Sequence, residues 1–268
     1  MSTTPAGSPQ LAGRHALVTG GGRGIGLAIT RAFLAHGARV TMTGRDVESL
    51  RGASTHICQQ QADVGHLLSF VTADVSEREA VRQAFDQARE RFGPIHILVN
   101  NAGQAASAPF LKTDYEMWRR LMAVNVDGAF HCSQAALPGM VEAGWGRIVN
   151  VASIAGLIGQ AYIAAYCASK HALVGLTRAL AVEVAAKGIT VNAVCPGYTE
   201  TEMVQQSVAN IVRKTGRSEE QARQELIGRN PLKRMIKPEE VANAVAWLCL
   251  PGSEAVNGQA IVISGGEV

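Results

Sequence analysis

The sequence predicts a single α/β domain built on a doubly wound, parallel, seven-stranded sheet with helices on both faces. Three observations predict it. Short apolar runs alternate with helix-period segments from end to end, with no linker-like break between them. A glycine cluster, Gly20, Gly21, Gly22, Gly24 and Gly26, lies between the first apolar run and the first helical segment. Polar and glycine-rich motifs recur where the predicted strands end, which is where ligands bind on such a sheet.

The elements follow in order. Met1 to Gly13 is rich in Ser, Thr, Pro and Gly and reads as a flexible tail, leaving 14–268 as the domain. Arg14 to Gly20 is a strand running into the glycines, and Ile25 to His36 is a helix with apolar Ile25, Ile29, Ala32 and Phe33. Ala38 to Thr43 is a second strand, with Asp46 placed to cap the next helix. Cys58 to Gly65 has no clear pattern. Leu67 to Thr72 is a third strand, followed by Asp74-Val75 and an expected capping box at Ser76 to Glu79. Pro94 ends that helix. Ile95 to Val99 is a fourth strand leading into Asn100-Asn101-Ala102-Gly103. A helical stretch from about Asp114 to Met140 follows, with breaks expected at Gly128 or Pro138. Arg147 to Ala152 is a fifth strand and Ile189 to Val194 a sixth. Between them a helix runs to about Lys187, with Gly188 as its C-cap. The polar 198–228 segment reads as an excursion covering a substrate site. Pro238 opens a last helix, and Ala260 to Ile263 is the seventh strand.

Composition narrows the functions. The chain has 268 residues, of which 47% are hydrophobic and 18% charged, as in a protein with a large core. Its formal charge is +3 with no dense Lys/Arg run, so neither nucleic acid nor a membrane surface is an expected partner. The five scattered cysteines lack metal-ligand spacing and read as reduced thiols. No apolar run reaches membrane-span length and no leader pattern is visible, so a cytoplasmic location is expected.

The chemistry concentrates between Ser153 and Lys170. Tyr166 and Lys170 are four apart in a run of helix-compatible residues, so a helix stacks them on one face. Ser153 follows the fifth strand. A hydroxyl, a phenol and an amine can thus meet at the carboxyl edge of the sheet. A nearby cation favours a phenolate, so Lys170 is expected to lower the Tyr166 pKa, and such a phenol can exchange a proton with a substrate oxygen. Taken alone, a Tyr-x-x-x-Lys pair is a weak signal and usually forms only a surface contact. Likewise the spacing Gly20-x-x-x-Gly24-x-Gly26 could be no more than a tight turn. As a phosphate cradle it would offer backbone N–H groups and a helix N-terminus.

Together these residues resemble the short-chain dehydrogenase/reductase family, from about Arg14 to Gly266. The match comprises Thr19 to Gly26, Asp74-Val75, Asn100 to Gly103, Asn125, Ser153, Tyr166, Lys170 and Pro196-Gly197. The resemblance implies a Rossmann-type, NAD(P)-dependent oxidoreductase acting on a ketone or secondary alcohol. Tyr166 would be the general acid/base, Ser153 would orient the carbonyl, Lys170 would hold the ribose, and Asn125 would support a proton path. Gly20, Arg23, Gly24, Ile25, Gly26, Asp74, Val75, Asn101, Ala102 and Gly103 would contact the cofactor. So would Pro196, Gly197, Thr199 and Thr201. Ser153, Gln160, Tyr162 and Tyr198 would face the substrate. Residues Gly188 to Gly197 and Ser169-Lys170-His171 are similar to the 3-ketoacyl and polyketide ketoreductase branch. Family members imply a homodimer or homotetramer. The alternative reading is a non-catalytic, cofactor-sensing protein on the same fold.

The end of the second strand bears on the cofactor. It reads Thr43-Gly44-Arg45, with no acid to accept the adenosine ribose hydroxyls. Arg45 and Arg23 stand at positions that resemble those where NADP-preferring family members carry basic residues, so NADP(H) is the expected cofactor, with NAD(H) possible; taken alone, both could be solvated surface arginines.

Overall fold

A computed structural model describes residues 9–61 and 63–268. Among them, seven strands form one sheet: β1 (His15–Thr19), β2 (Arg39–Gly44), β3 (Leu68–Thr72), β4 (Ile97–Asn100), β5 (Gly146–Val151), β6 (Ile189–Pro196) and β7 (Ala260–Ile263). The order is β3-β2-β1-β4-β5-β6-β7, and every pairing is parallel. The chain begins in the middle, builds to one edge through β2 and β3, then returns to set β4 on the other side of β1. That reversal opens a crevice at the exits of β1 and β4.

The central strands β1, β4, β5 and β6 are buried along their whole length. Helices cover both faces of the sheet, so these strands read as continuous apolar runs with no polar alternation. Ala16 and Val18 of β1 pack with Ile29 and Phe33 of α1 (Gly24–Ala35), Leu50 of α2 (Val47–Gln60) and Val241 of α9 (Pro238–Trp247). Leu17 points the other way. It packs with Phe85 of α3 (Arg78–Phe92), Met140 of α5 (Gly128–Ala143) and Val184 of α6 (Ala164–Val184). Helix α4 (Tyr115–Met122) precedes α5, and the excursion after β6 holds α7 (Glu202–Thr215) and α8 (Glu219–Ile227).

Four expectations change. Leu11 is buried in the first core and its N–H donates to the His36 carbonyl at 2.9 Å, so the tail does not extend to Gly13. Residues 1–8 lie outside the described residues. The patternless Cys58–Gly65 stretch begins as the last turn of α2. The capping box at Ser76 does not form: the Ser76 N–H and hydroxyl both donate to Asp74 Oδ1, at 3.0 and 2.7 Å, and α3 starts at Arg78. Neither Gly128 nor Pro138 breaks its helix. The chain passes from α4 into α5 through a π turn, Ala123–Asp127, and Pro138 sits inside α5. Gly128 serves packing instead, since a Cβ there would lie 2.7 Å from Val75 Cγ2. Among the described residues no helix is long and apolar enough to cross a membrane.

The tightest contact in the glycine turn is at Gly26, where an added Cβ would sit 2.1 Å from the Gly20 carbonyl oxygen. Backbone cannot step aside as a flexible side chain can. Gly26→Ala should therefore destabilise the fold by about 1–3 kcal/mol or more in urea denaturation. A change within a few tenths of a kcal/mol would show that the turn is not packed this closely.

Candidate active site

At the exit of β1 the backbone turns through Gly20 (φ 64°) and Gly24 (φ 50°) into α1. A Cβ on Gly20 would meet Asn101 Nδ2 at 2.9 Å, and one on Gly24 would meet Thr201 Cγ2 at 3.2 Å. The turn is thus enclosed by the segments after β4 and after β6. Arg23, the N-cap of α1, makes no side-chain cap bond, and the first turn of α1 carries no acid. A glycine-lined backbone leading into an uncapped helix N-terminus fits an anionic pyrophosphate.

Thr19 and Asn101 hold this turn in place. Thr19 Oγ1 accepts from the N–H groups of Asn101 and Ala102 at 2.9 and 3.0 Å. Asn101 Nδ2 donates to the carbonyls of Thr19 and Gly20 at 2.9 and 3.2 Å. The side chain expected to line the cofactor is therefore also the brace of the glycine turn. Sequence reading missed this role for Thr19, whose place directly before the glycines was its signal.

The four candidate chemical residues come together. Ser153 leaves β5 half-buried, and its Oγ accepts from the Ala155 N–H at 3.1 Å. Lys170 is buried, and its Nζ donates to the Val151 carbonyl at 2.9 Å. That Nζ lies 5.7 Å from the centroid of the half-buried Tyr166 ring. Asn125 is buried in the π turn, a distortion often found at functional sites. Its Oδ1 accepts from the Gln104 N–H at 2.8 Å, while Nδ2 donates to the Gln104 carbonyl and to Ser169 Oγ, both at 2.9 Å. A Cβ on Gly103 would stand 3.3 Å from Asn125 Oδ1 and 3.6 Å from Lys170 Nζ, so these two groups flank Gly103.

Burial governs both titrating groups. It pushes the Tyr166 phenol up to about 12, against a smaller downward pull from its hydrogen bond with Ser153. It pulls the Lys170 ammonium down to about 8. The Tyr166 phenol thus lies above its ordinary value and not below it as expected, because desolvation disfavours its charged form as it does that of Lys170.

The remaining candidates spread along the strand exits. Val75 is buried, and Asp74 holds Ser76. Arg45 Nη1 is 3.8 Å from Asp74 Oδ2, whereas Arg23 turns to Glu202 of α7 at 2.9 Å, with both pairs substantially exposed. Asp46 caps α2 by accepting from the Glu48 N–H at 3.0 Å. Gly197 N–H donates to Ile263, past the end of Pro196. Thr199 is buried with its hydroxyl on the Gly197 carbonyl at 3.0 Å, and Thr201 donates to Thr199 at 3.3 Å. Gln160 and Tyr198 are half-buried. Tyr162 is 68% exposed at φ 69°, its carbonyl held by the Ala108 N–H at 2.8 Å.

With this geometry in view, the comparisons decide the family. The short chain dehydrogenase family model matches residues 14–211. The chain belongs to the short-chain dehydrogenase family. It is 37% identical over 260 residues to D-beta-hydroxybutyrate dehydrogenase of Cupriavidus necator, covering 96% of this chain and 99% of that protein. It is 40% identical over 250 residues to 2-(S)-hydroxypropyl-CoM dehydrogenase 3 of Xanthobacter autotrophicus, covering 93% of this chain and 94% of that protein. A crystal structure of an actinorhodin polyketide ketoreductase variant with NADPH superimposes with a TM-score of 0.91 at 38% identity, covering 97% of this chain and 98% of that one. This short-chain dehydrogenase is an oxidoreductase of the ketone and secondary-alcohol class that uses NAD(P)(H).

The burial of Lys170 has a pH signature. Its ordinary value is 10.5 and its folded value about 8. The cost of burying the cation is present in full below about pH 8 and fades as pH rises towards 10.5. Lys170→Met removes that cost. The melting temperature of the variant minus that of the wild type should therefore be most favourable to the variant at pH 7 and should fall by pH 10. A difference that stays constant with pH would show that Lys170 is not buried as a cation.

Proposed function

We propose that this short-chain dehydrogenase interconverts a ketone and a secondary alcohol with Tyr166 moving the proton, and that it prefers NADP(H). The observation that carries the reading is the convergence of Ser153, Tyr166 and Lys170 at the exit of β5, beside Gly103 and next to the glycine turn. When bound, the nicotinamide cofactor supplies or takes the hydride at the carbonyl carbon. The chain supplies the rest. Ser153 Oγ and the Tyr166 hydroxyl together hold the carbonyl oxygen. Tyr166 is neutral at pH 7, the form that gives a proton to that oxygen as it becomes an alcohol. Lys170 uses one N–H on Val151 and keeps further donors for the ribose hydroxyls. Asn125 holds the loop at Gln104, and its π turn supports the path by which the proton is replaced. Gly197, Thr199 and Thr201 close the nicotinamide side of the crevice, while Asp74, Val75 and the Asn101–Gly103 segment line the adenosine side.

The substrate is a moderately apolar ketone or alcohol, with 3-oxoacyl and polyketide-like carbonyls as the favoured class. Walls of mixed character, Gln160, Tyr162, Tyr198 and helices α7 and α8, support this. So does the likeness to the polyketide ketoreductase structure. Tyr166→Phe should fold and bind cofactor, yet lose about 10²–10⁴-fold in kcat with a panel of ketones, followed by nicotinamide absorbance. A variant that keeps near-wild-type kcat would remove Tyr166 from the proton-transfer role.

The preference for NADP(H) rests on charge at the exit of β2. Asp46 is engaged as the cap of α2, and Arg45 pairs only distantly with Asp74. At 3.8 Å and largely exposed, its pairing with Asp74 is weak enough to yield to a 2′-phosphate. Arg23, in the glycine turn, pairs with Glu202 at 2.9 Å with both side chains largely exposed. Arg45→Ala should weaken NADPH by roughly ten- to a hundredfold and leave NADH nearly unchanged, read as kcat/KM for each cofactor. A wild-type preference for NADH, or an equal loss with both, would sink this assignment.

A further inference from the structure

Ser169 has no part in the chemistry above, yet it is 0% exposed and directly precedes Lys170. Its hydroxyl donates to the Tyr166 carbonyl at 2.8 Å and accepts from Asn125 Nδ2 at 2.9 Å. With the Asn125–Gln104 bonds, this makes an unbroken line from the loop after β4, through the π turn, into α6. Asn125 spends both amide hydrogens and its oxygen on it. A serine inside a helix that bonds back to its own turn is a mildly unfavourable choice, and alanine would be the better helix former. Helix formation therefore does not account for the hydroxyl. Its attachment point does, because the carbonyl it grips belongs to Tyr166.

A second buried hydroxyl on the same helix makes the contrast. Thr177 Oγ1 donates to the Leu173 carbonyl and accepts from Asn150 Nδ2, both at 2.8 Å. Asn150 Oδ1 in turn accepts from Asn100 Nδ2 at 2.8 Å. The bonding pattern is the same, but Thr177 ties α6 to the middle of the sheet, two turns beyond the reacting groups. Helix α6 is thus pinned twice, once in the core and once at the site.

We infer that Ser169 is a positioning residue for the reaction: it ties the Tyr166 backbone to the π turn and so fixes the direction in which the phenol leaves α6 towards Ser153. This rests on Tyr166 being the proton-transferring group. The phenol is faced by Lys170 and Cys167 from α6, Cys195 from β6, Tyr198 beyond it and the Ser153 hydroxyl. Of these, the Ser153 bond holds the phenol pKa down, while Cys167, Cys195 and Tyr198 push it up. A phenol that drifts from Ser153 therefore titrates at higher pH. Alcohol oxidation, which needs the phenolate, should follow it.

The test compares Ser169→Ala, Ser169→Cys, Ser169→Thr and Thr177→Val for melting temperature, KM for NADPH, kcat and the pH profile of alcohol oxidation. Ser169→Ala should lower kcat roughly ten- to a hundredfold, with KM for NADPH little changed and the profile moved alkaline. Ser169→Cys, which is slightly larger and bonds weakly, should fall between, and Ser169→Thr should recover most of kcat. Thr177→Val should lower the melting temperature without moving kcat or the profile. Should Ser169→Ala fail to fold, Ser169→Cys decides on the same readouts. A Ser169 variant that loses thermal stability but keeps kcat and the pH profile would overturn the inference, as would an equal kcat loss in Thr177→Val. An inactive Tyr166→Phe beside a fully active Ser169→Ala would sink the positioning role alone. An active Tyr166→Phe would remove both readings.

Discussion

The site hangs from the seam where β1 and β4 run side by side and the strand order reverses. Backbone groups that leave a buried sheet there lose their ladder partners and need others. Thr19 and Asn101 provide them. One threonine oxygen takes two amides from the far strand exit and donates to Val99 at 3.3 Å. One asparagine amide returns two bonds to the near exit. The glycine turn and the Asn101–Gln104 segment therefore move as one piece. The phosphate side of the crevice belongs to the first and the Gly103 wall of the reacting side to the second, so their separation is set by this seam. A side chain at Gly20 would push directly on the Asn101 amide and open it.

A second constraint acts on what the seam encloses. Two groups of opposite tendency, a half-buried phenol and a buried ammonium, could stabilise each other as an ion pair. Here burial prevails, and each is displaced towards its neutral form. The outcome suits the proposed role of Tyr166, handing over a proton. A phenol held neutral at pH 7 is ready to give it, and a lysine with a value near 8 still carries most of its charge at that pH. The local cation then favours the phenolate left behind. The same low-dielectric setting that makes Lys170 costly to bury strengthens its effect at the moment of transfer.

Much of this was legible in the chain because the signals were local. Continuous apolar runs marked the buried strands within a residue or two. The glycines marked the turn, and the four-residue spacing of Tyr166 and Lys170 marked their shared face. What escaped was decided by competition or by distant packing. Ser76 looked like a cap for α3, but Asp74, fixed at the exit of β3, captured both of its donors. Gly128 looked like a helix break, although its reason is Val75, far away in sequence. Leu11 lay in a composition typical of a tail, and only the first core reveals its place. The π turn at Asn125 has no pattern of its own, and the direction of the Tyr166 shift could not be read without knowing how deeply the ring is buried. Ser169 was visible beside Lys170, but nothing local tied it to an asparagine 44 residues away.

The two halves of the crevice differ in how their charges work. At the exits of β1 and β2, Arg23 and Arg45 are largely exposed, and their pairings with Glu202 and Asp74 lie open to solvent. Water and salt screen them, each contributes about 1 kcal/mol or less until an anion arrives, and a single surface substitution can reset their preference. Beside Gly103, Lys170 and Asn125 are buried and bond to backbone and, for Asn125, also to the Ser169 hydroxyl. Changing one of these leaves its partners unpaired inside the protein, which costs far more than any surface charge returns. These exposed charges are therefore the adjustable part of this architecture. The placement of Tyr166 is the fixed one, because its carbonyl is held by the same hydrogen bonds that join the loop after β4, the π turn and α6.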